Sequence, residues 1–123
     1  MAATGKGLAM DPKLREEIDN LHAQICRALA DSHRILILYT LAERPHYVTD
    51  LSGALDLPQP TVSRHLKVLR ERGLVQAERE GQAVAYSLSD PRIIEALDLL
   101  RSVLAARLKN QGALGQTVIQ DLN

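Results

Sequence analysis

Apolar residues in the first part of the chain fall three and four apart. Leu14, Ile18, Leu21, Ile25 and Leu29 form one such series, which is the pattern of a single stripe on a helix. Asp11-Pro12 in front of it reads as a helix start, with Asp as N-cap and Pro at the first helical position. Glu16 and Glu17 lie in the early turns, where the helix dipole favours acids. Asp31 and Ser32 interrupt the series. A second helix follows from about Ser32 to Ala42 with Ile35, Ile37, Leu38 and Leu41, and Arg44-Pro45 breaks it. Thr49 is expected to cap a short third helix holding Leu51 and Leu55, which Leu57-Pro58 closes. A fourth helix runs from Gln59 to Arg72. Val62, Leu66 and Leu69 form its buried face, and Gly73 stands at the position just past the end, where glycine is favoured.

Beyond Gly73 the period drops from 3.6 to 2. Leu74, Val75 and Ala77 lead into the polar stretch Glu78-Arg79-Glu80-Gly81-Gln82, and Ala83 to Leu88 return. This predicts a β-hairpin with Gly81 near its tip, and Tyr86 reads as a half-buried strand residue supporting it. Ser89-Asp90-Pro91 starts a last helix, whose stripe is Ile93, Leu97, Leu100, Leu104 and Leu108, widened by Ile94 and Val103. The expected division is a disordered arm over 1–10, one domain over 11–110 and a flexible tail over 111–123. Helices followed by a hairpin and a terminal helix describe a mainly α winged helix-turn-helix. The first and last stripes are longer than a small centre can cover, which suggests a two-fold dimer interface.

Composition sharpens this picture. The chain has 123 residues, the size of one domain. It has no Trp, no Phe and only three Tyr, so its core is built from Leu, Ile, Val and Ala. One cysteine, Cys26, cannot form an internal disulfide, which excludes a cysteine-stapled fold. No segment approaches the ~20 apolar residues of a membrane helix, and the first ten residues lack a signal peptide's apolar run. The expectation is a cytoplasmic protein. Fifteen basic and fifteen acidic residues balance, yet unevenly. From Gln59 to Tyr86 five basic residues face three acidic ones, whereas residues 1–58 hold six basic and eight acidic.

That local excess coincides with a usable face. With Val62, Leu66 and Leu69 inside, the fourth helix turns Pro60, Ser63, Arg64, Lys67 and Glu71 outward, with Thr61 and Val68 on a flank. Thr61, Ser63 and Arg64 combine short hydroxyls with a fork-shaped donor, chemistry suited to base edges in the major groove of double-stranded DNA. Gln59 and His65, nearer the flanks, have bases or phosphates in reach. On the wing, Arg79 and Gln82 are candidates for a phosphate or a neighbouring minor groove. Glu78 and Glu80 beside Arg79 either weaken that attraction or brace the arginine.

Leu57-Pro-Gln-Pro-Thr-Val-Ser-Arg-His-Leu-Lys-Val-Leu-Arg-Glu-Arg-Gly-Leu-Val75 closely resembles the ArsR/SmtB family of bacterial transcriptional repressors, as does Ala28-Leu-Ala-Asp-Ser-His-Arg-Ile-Leu-Ile-Leu38. The resemblance spans roughly Leu21 to Leu108. It implies a homodimer, paired through its first and last helices, that represses from a palindromic operator until an effector binds. It also places Gln59, Ser63, Arg64 and His65 in the DNA-reading motif. One departure is Pro58, where relatives commonly carry a serine that caps the helix and touches phosphate; proline cannot cap.

The family's arsenic and cadmium sensors carry paired cysteines in the third helix, where this chain has Tyr47-Val-Thr-Asp-Leu51. Its zinc and nickel sensors place Asp and His ligands along the last helix. Here Asp90 stands first, but Arg92 replaces the nearby His, and Val103 and Ala106 fill the later positions. No cofactor is expected, and the effector is left unknown. Asp19, His22 and Cys26 lie three and four apart on one helical face, a spacing that permits metal ligation. The family's thiol sensors have a cysteine resembling Cys26, although its last-helix partner is missing. The plain alternative makes Cys26 a small buried hydrophobe and His22 a solvated residue. His33 and His46 are scattered and carry no site by themselves. Catalysis is not expected, for want of a nucleophile with a base and an oxyanion site. The competing functional readings are a winged-helix protein-interaction module with weak or no specific DNA binding, and a repressor that senses redox change or an atypical metal through Cys26.

Overall fold

The computed structural model describes residues 9–122, with side chains through Gly112. Residues 1–8 of the expected arm, and the side chains of Val118, Ile119 and Leu122, lie outside the described part. The chain forms two units, one ending at Ser89 and one beginning at Asp90.

In the first unit, α1 (Pro12–Leu21) starts where Asp11 accepts the Lys13 amide at 3.0 Å. It runs into a π-turn over His22–Cys26, closed by the Arg27 amide on the His22 carbonyl at 3.1 Å. The sequence pattern shows one unbroken helix there. The extra residue of a π-turn leaves no trace in apolar spacing. Next, α2 spans Ser32–Glu43. The Asp31 side chain accepts the His33 amide at 2.8 Å and caps it.

The structure adds a short strand, β1 (His46–Tyr47), and begins α3 (Val48–Leu55) directly after it. The N-cap is therefore Tyr47 rather than Thr49, and the Tyr47 amide donates to Asp50 at 3.1 Å. Asp56 then adopts a left-handed conformation with φ 54°, tolerated because a short polar side chain can bond locally. That single residue turns the chain from α3 into α4 (Gln59–Glu71). Beyond α4, Gly73 has φ 75°. Its amide reaches Arg70 at 3.0 Å and the Leu74 amide reaches Leu69 at 2.9 Å, a Schellman ending that only glycine adopts without strain.

The hairpin is β2 (Val75–Glu80) and β3 (Ala83–Leu88), antiparallel, joined by Gly81-Gln82 with Gly81 at φ 64°. β1 pairs with the far side of β3, so the sheet order is β1-β3-β2. Tyr86 is half-buried on β3, as the alternation requires. Ile37, Leu38, Leu41, Leu51, Val62, Leu66 and Leu69 fill the core between the three central helices, with Leu74, Val75 and Ala85 from the sheet side. All are aliphatic, as the composition demands.

The second unit is α5, which runs Arg92–Leu122. It continues through residues 111–122 of the stretch expected as a tail. Gly112 and Gly115 each weaken a helix by only about 1 kcal/mol, and no proline stops it.

Replacing Asp31 with Ala is expected to cost about 1 kcal/mol at pH 7, read as a lower urea midpoint. Burial resists ionisation of this carboxyl. The His33 amide, the charge at His65, and Arg34 through both its amide and its charge together outweigh burial, so the pKa lies below the ordinary 3.8. A depressed folded-state pKa means the contribution is complete above 3.8 and lost as pH falls through the lower value. The gap between variant and parent should therefore close on acidification.

Candidate nucleic-acid interface

Helix α4 is held from behind and open in front. Val62, Leu66 and Leu69 are fully buried, whereas Gln59, Pro60, Ser63, Arg64, Lys67 and Glu71 are exposed. Pro58 precedes the helix without a side-chain cap. Its carbonyl accepts the Thr61 and Val62 amides at 3.0 and 3.1 Å. Half-buried Thr61 accepts from the Arg64 guanidinium at 3.3 Å. This long, exposed bond leaves the fork aimed along the outer face.

Two basic residues of the helix differ from that arrangement. Arg72, just past the helix, donates to Gln24 of the π-turn at 2.9 Å, which ties that turn to the end of α4. His65 is half-buried and turned toward α2. Its ring meets His33 edge-on with centroids 5.6 Å apart, and Arg34 Nη1 lies 3.5 Å from its Nδ1. Burial lowers the His65 pKa. The Asp31 carboxylate opposes that shift, and the charges of Arg34, His33 and Arg64 add to it. The half-buried ring thus joins α2 and α4.

On the wing, Arg79 and Gln82 are exposed. Strand alternation turns Arg79 to the opposite face from Glu78 and Glu80. Glu80 accepts the Tyr47 hydroxyl at 2.7 Å instead of bracing Arg79. This bond to its acidic neighbour raises the Tyr47 pKa, and it fastens the wing to β1.

Cys26 is exposed, which removes the reading of it as a buried hydrophobe, and His22 is exposed beside it. Asp19, His22 and Cys26 do not converge as a ligand set among the described residues. Asp31, His33 and His65 do, with ligating atoms all within 4.8 Å of one another. Sequence spacing cannot show this group, because it arises only when α2 packs on α4. At the start of α5, Asp90 is engaged by Arg92 at 2.6 Å, and that bond holds its pKa down at about 2. No helix among the described residues is long and apolar enough to cross a membrane.

A central helix-turn-helix with an exposed second helix and a two-stranded wing defines the winged helix-turn-helix class of DNA-binding transcription regulators. Residues 31–77 match the profile of the bacterial regulatory protein, arsR family. An uncharacterized HTH-type transcriptional regulator of Mycobacterium tuberculosis, Rv0081, is 39% identical over 108 residues, 87% of this chain and 91% of that protein. The chain belongs to the ArsR/SmtB family of transcription regulators. The crystal structure of Rv0081 superposes with a TM-score of 0.67 at 34% identity, over 83% of this chain and 98% of that one. The homodimeric winged helix-turn-helix DNA-binding domain of Mb0332 from Mycobacterium bovis gives a TM-score of 0.69 at 26% identity, over 83% and 94%. The HTH-type transcriptional repressor SmtB of Mycobacterium tuberculosis is 44% identical over 79 residues, 64% of this chain. The chain spans only 58% of SmtB's length.

Proposed function

We propose that the protein is a homodimeric repressor that binds an imperfect palindromic operator through α4 and the wing. The observation that carries this reading is the outward row of Gln59, Ser63, Arg64 and Lys67 on a helix anchored behind by three buried aliphatic residues. Arg64 and Ser63 take base edges, Gln59 a base or phosphate, and Lys67, Arg79 and Gln82 the backbone. Pairing through α1 and α5 is supported by their unburied apolar rows. Leu14, Ile18 and Leu21 are exposed on α1, and Leu100, Val103, Leu104 and Leu108 on α5. The homodimeric state of the Mb0332 domain agrees with such pairing.

Footprinting of the protein on the DNA upstream of its own gene should protect two half-sites about one helical turn apart, ~34–36 Å. Affinity should fall steeply with salt, because each phosphate contact releases a counterion. In Lys67→Ala that slope should drop by about 1 per half-site, about 2 for the dimer, with affinity reduced alike on all sequences. Absence of protection on every fragment, or binding that ignores salt, would leave the interaction-module reading instead.

A further inference from the structure

We propose that Asp31, His33 and His65 form a binding site for one divalent transition-metal ion of the zinc class, set between the start of α2 and the middle of α4. The site stands on its own chemistry. Its failure would leave the DNA reading untouched, and the reverse also holds.

The three ligating atoms lie within 4.8 Å of one another. Zinc bonds near 2.0–2.2 Å put tetrahedral ligands about 3.4 Å apart. Closing that difference calls for rotation of the three half-buried side chains. The donors are two imidazoles and one carboxylate. This set suits zinc and its neighbours, whereas magnesium and calcium prefer oxygen alone.

Each donor is held by a separate constraint. The Asp31 Oδ1 atom accepts the His33 amide at 2.8 Å, which fixes the carboxylate at the helix start and leaves Oδ2 turned to the cluster. His33 sits in the first turn of α2, and its ring packs against that of His65 at 62°. His65 is carried by α4, whose buried row fixes it in place.

Arg34 is the charged group that competes. Its Nη1 lies 3.9 Å from Asp31 Oδ2 and 3.5 Å from His65 Nδ1, so a cation already rests against two of the three ligands. Its Nε and Nη2 are tied to the carbonyls of Ala28 and Arg27 at 2.6 and 3.2 Å. These bonds anchor the guanidinium beside the site. The arginine's charge weakens binding relative to a neutral surrounding. Three protein ligands leave a fourth position for water.

The test is titration of the full chain with Zn²⁺ in competition with a chromophoric chelator, and with Co²⁺ followed by visible absorption. One ion per chain is expected. The Co²⁺ complex should show d–d bands without the near-ultraviolet thiolate charge transfer that Cys26 would give. His33→Ala, and independently His33→Gln, should weaken Zn²⁺ at least about tenfold, while Cys26→Ser and His22→Ala bind as the parent does. Zn²⁺ should also raise the thermal midpoint of the parent but not of the His33 variants, because a ligand of the folded state stabilises it by mass action. Lack of saturable binding, equal affinity in the folded His33 variants, or loss of binding in Cys26→Ser or His22→Ala overturns the proposal.

Discussion

In Arg64→Ala, operator selection should collapse while general DNA binding survives. One bidentate arginine–guanine contact discriminates bases by about 1–3 kcal/mol. The variant should thus lose roughly 10- to 100-fold of specific affinity per half-site and little on random sequence. The geometry is favourable for this role. Arg64 lies in the N-terminal half of α4, is exposed, and gives up only a 3.3 Å bond to Thr61 when it extends. Parallel binding curves on operator and scrambled duplex, at one salt concentration, decide the matter. Equal loss on both would assign Arg64 to a phosphate.

The second large effect should come from behind the same helix. Leu66 is fully buried beneath α4. Cutting it to Ala removes buried methyl groups and leaves a cavity, at a cost of about 2–5 kcal/mol. Folded domains hold only about 5–15 kcal/mol in total, so a substantial fraction of the stability would go. Urea unfolding at fixed protein concentration should show a much lower midpoint with DNA binding lost in step. A loss below about 1 kcal/mol would mean that the aliphatic core repacks around the gap.

Local rules reveal the elements that carry strong local signals. The buried row of α4, the left-handed Gly73 and the Gly81 turn are each encoded within a few neighbouring residues, and the structure places them where the sequence does. Elements defined by distant partners are invisible to such reading. β1 is two residues whose strand character comes from Tyr86 and Ala85 on β3. The start of α3 depends on that pairing, which is why local capping rules alone point to Thr49. The packing of His65 against α2 is hidden on a helical wheel because the wheel does not contain α2. The convergence of Asp31, His33 and His65 is hidden for the same reason. The exposed row of Gln59, Ser63, Arg64 and Lys67 needs only one helix's own periodicity, and it was legible from the start.

The π-turn at His22–Cys26 sets a phase relation within the first unit. An extra residue in one turn rotates everything before it by about 100° relative to a plain α-helix. Leu14, Ile18 and Leu21 therefore keep the outward row that they form among themselves, while Ile25 and Leu29 turn partly inward and Ala28 is buried. Arg72 grips Gln24 inside that turn. The bearing of the outward apolar row, measured from the reading helix, is consequently geared through a single inserted residue and one hydrogen bond.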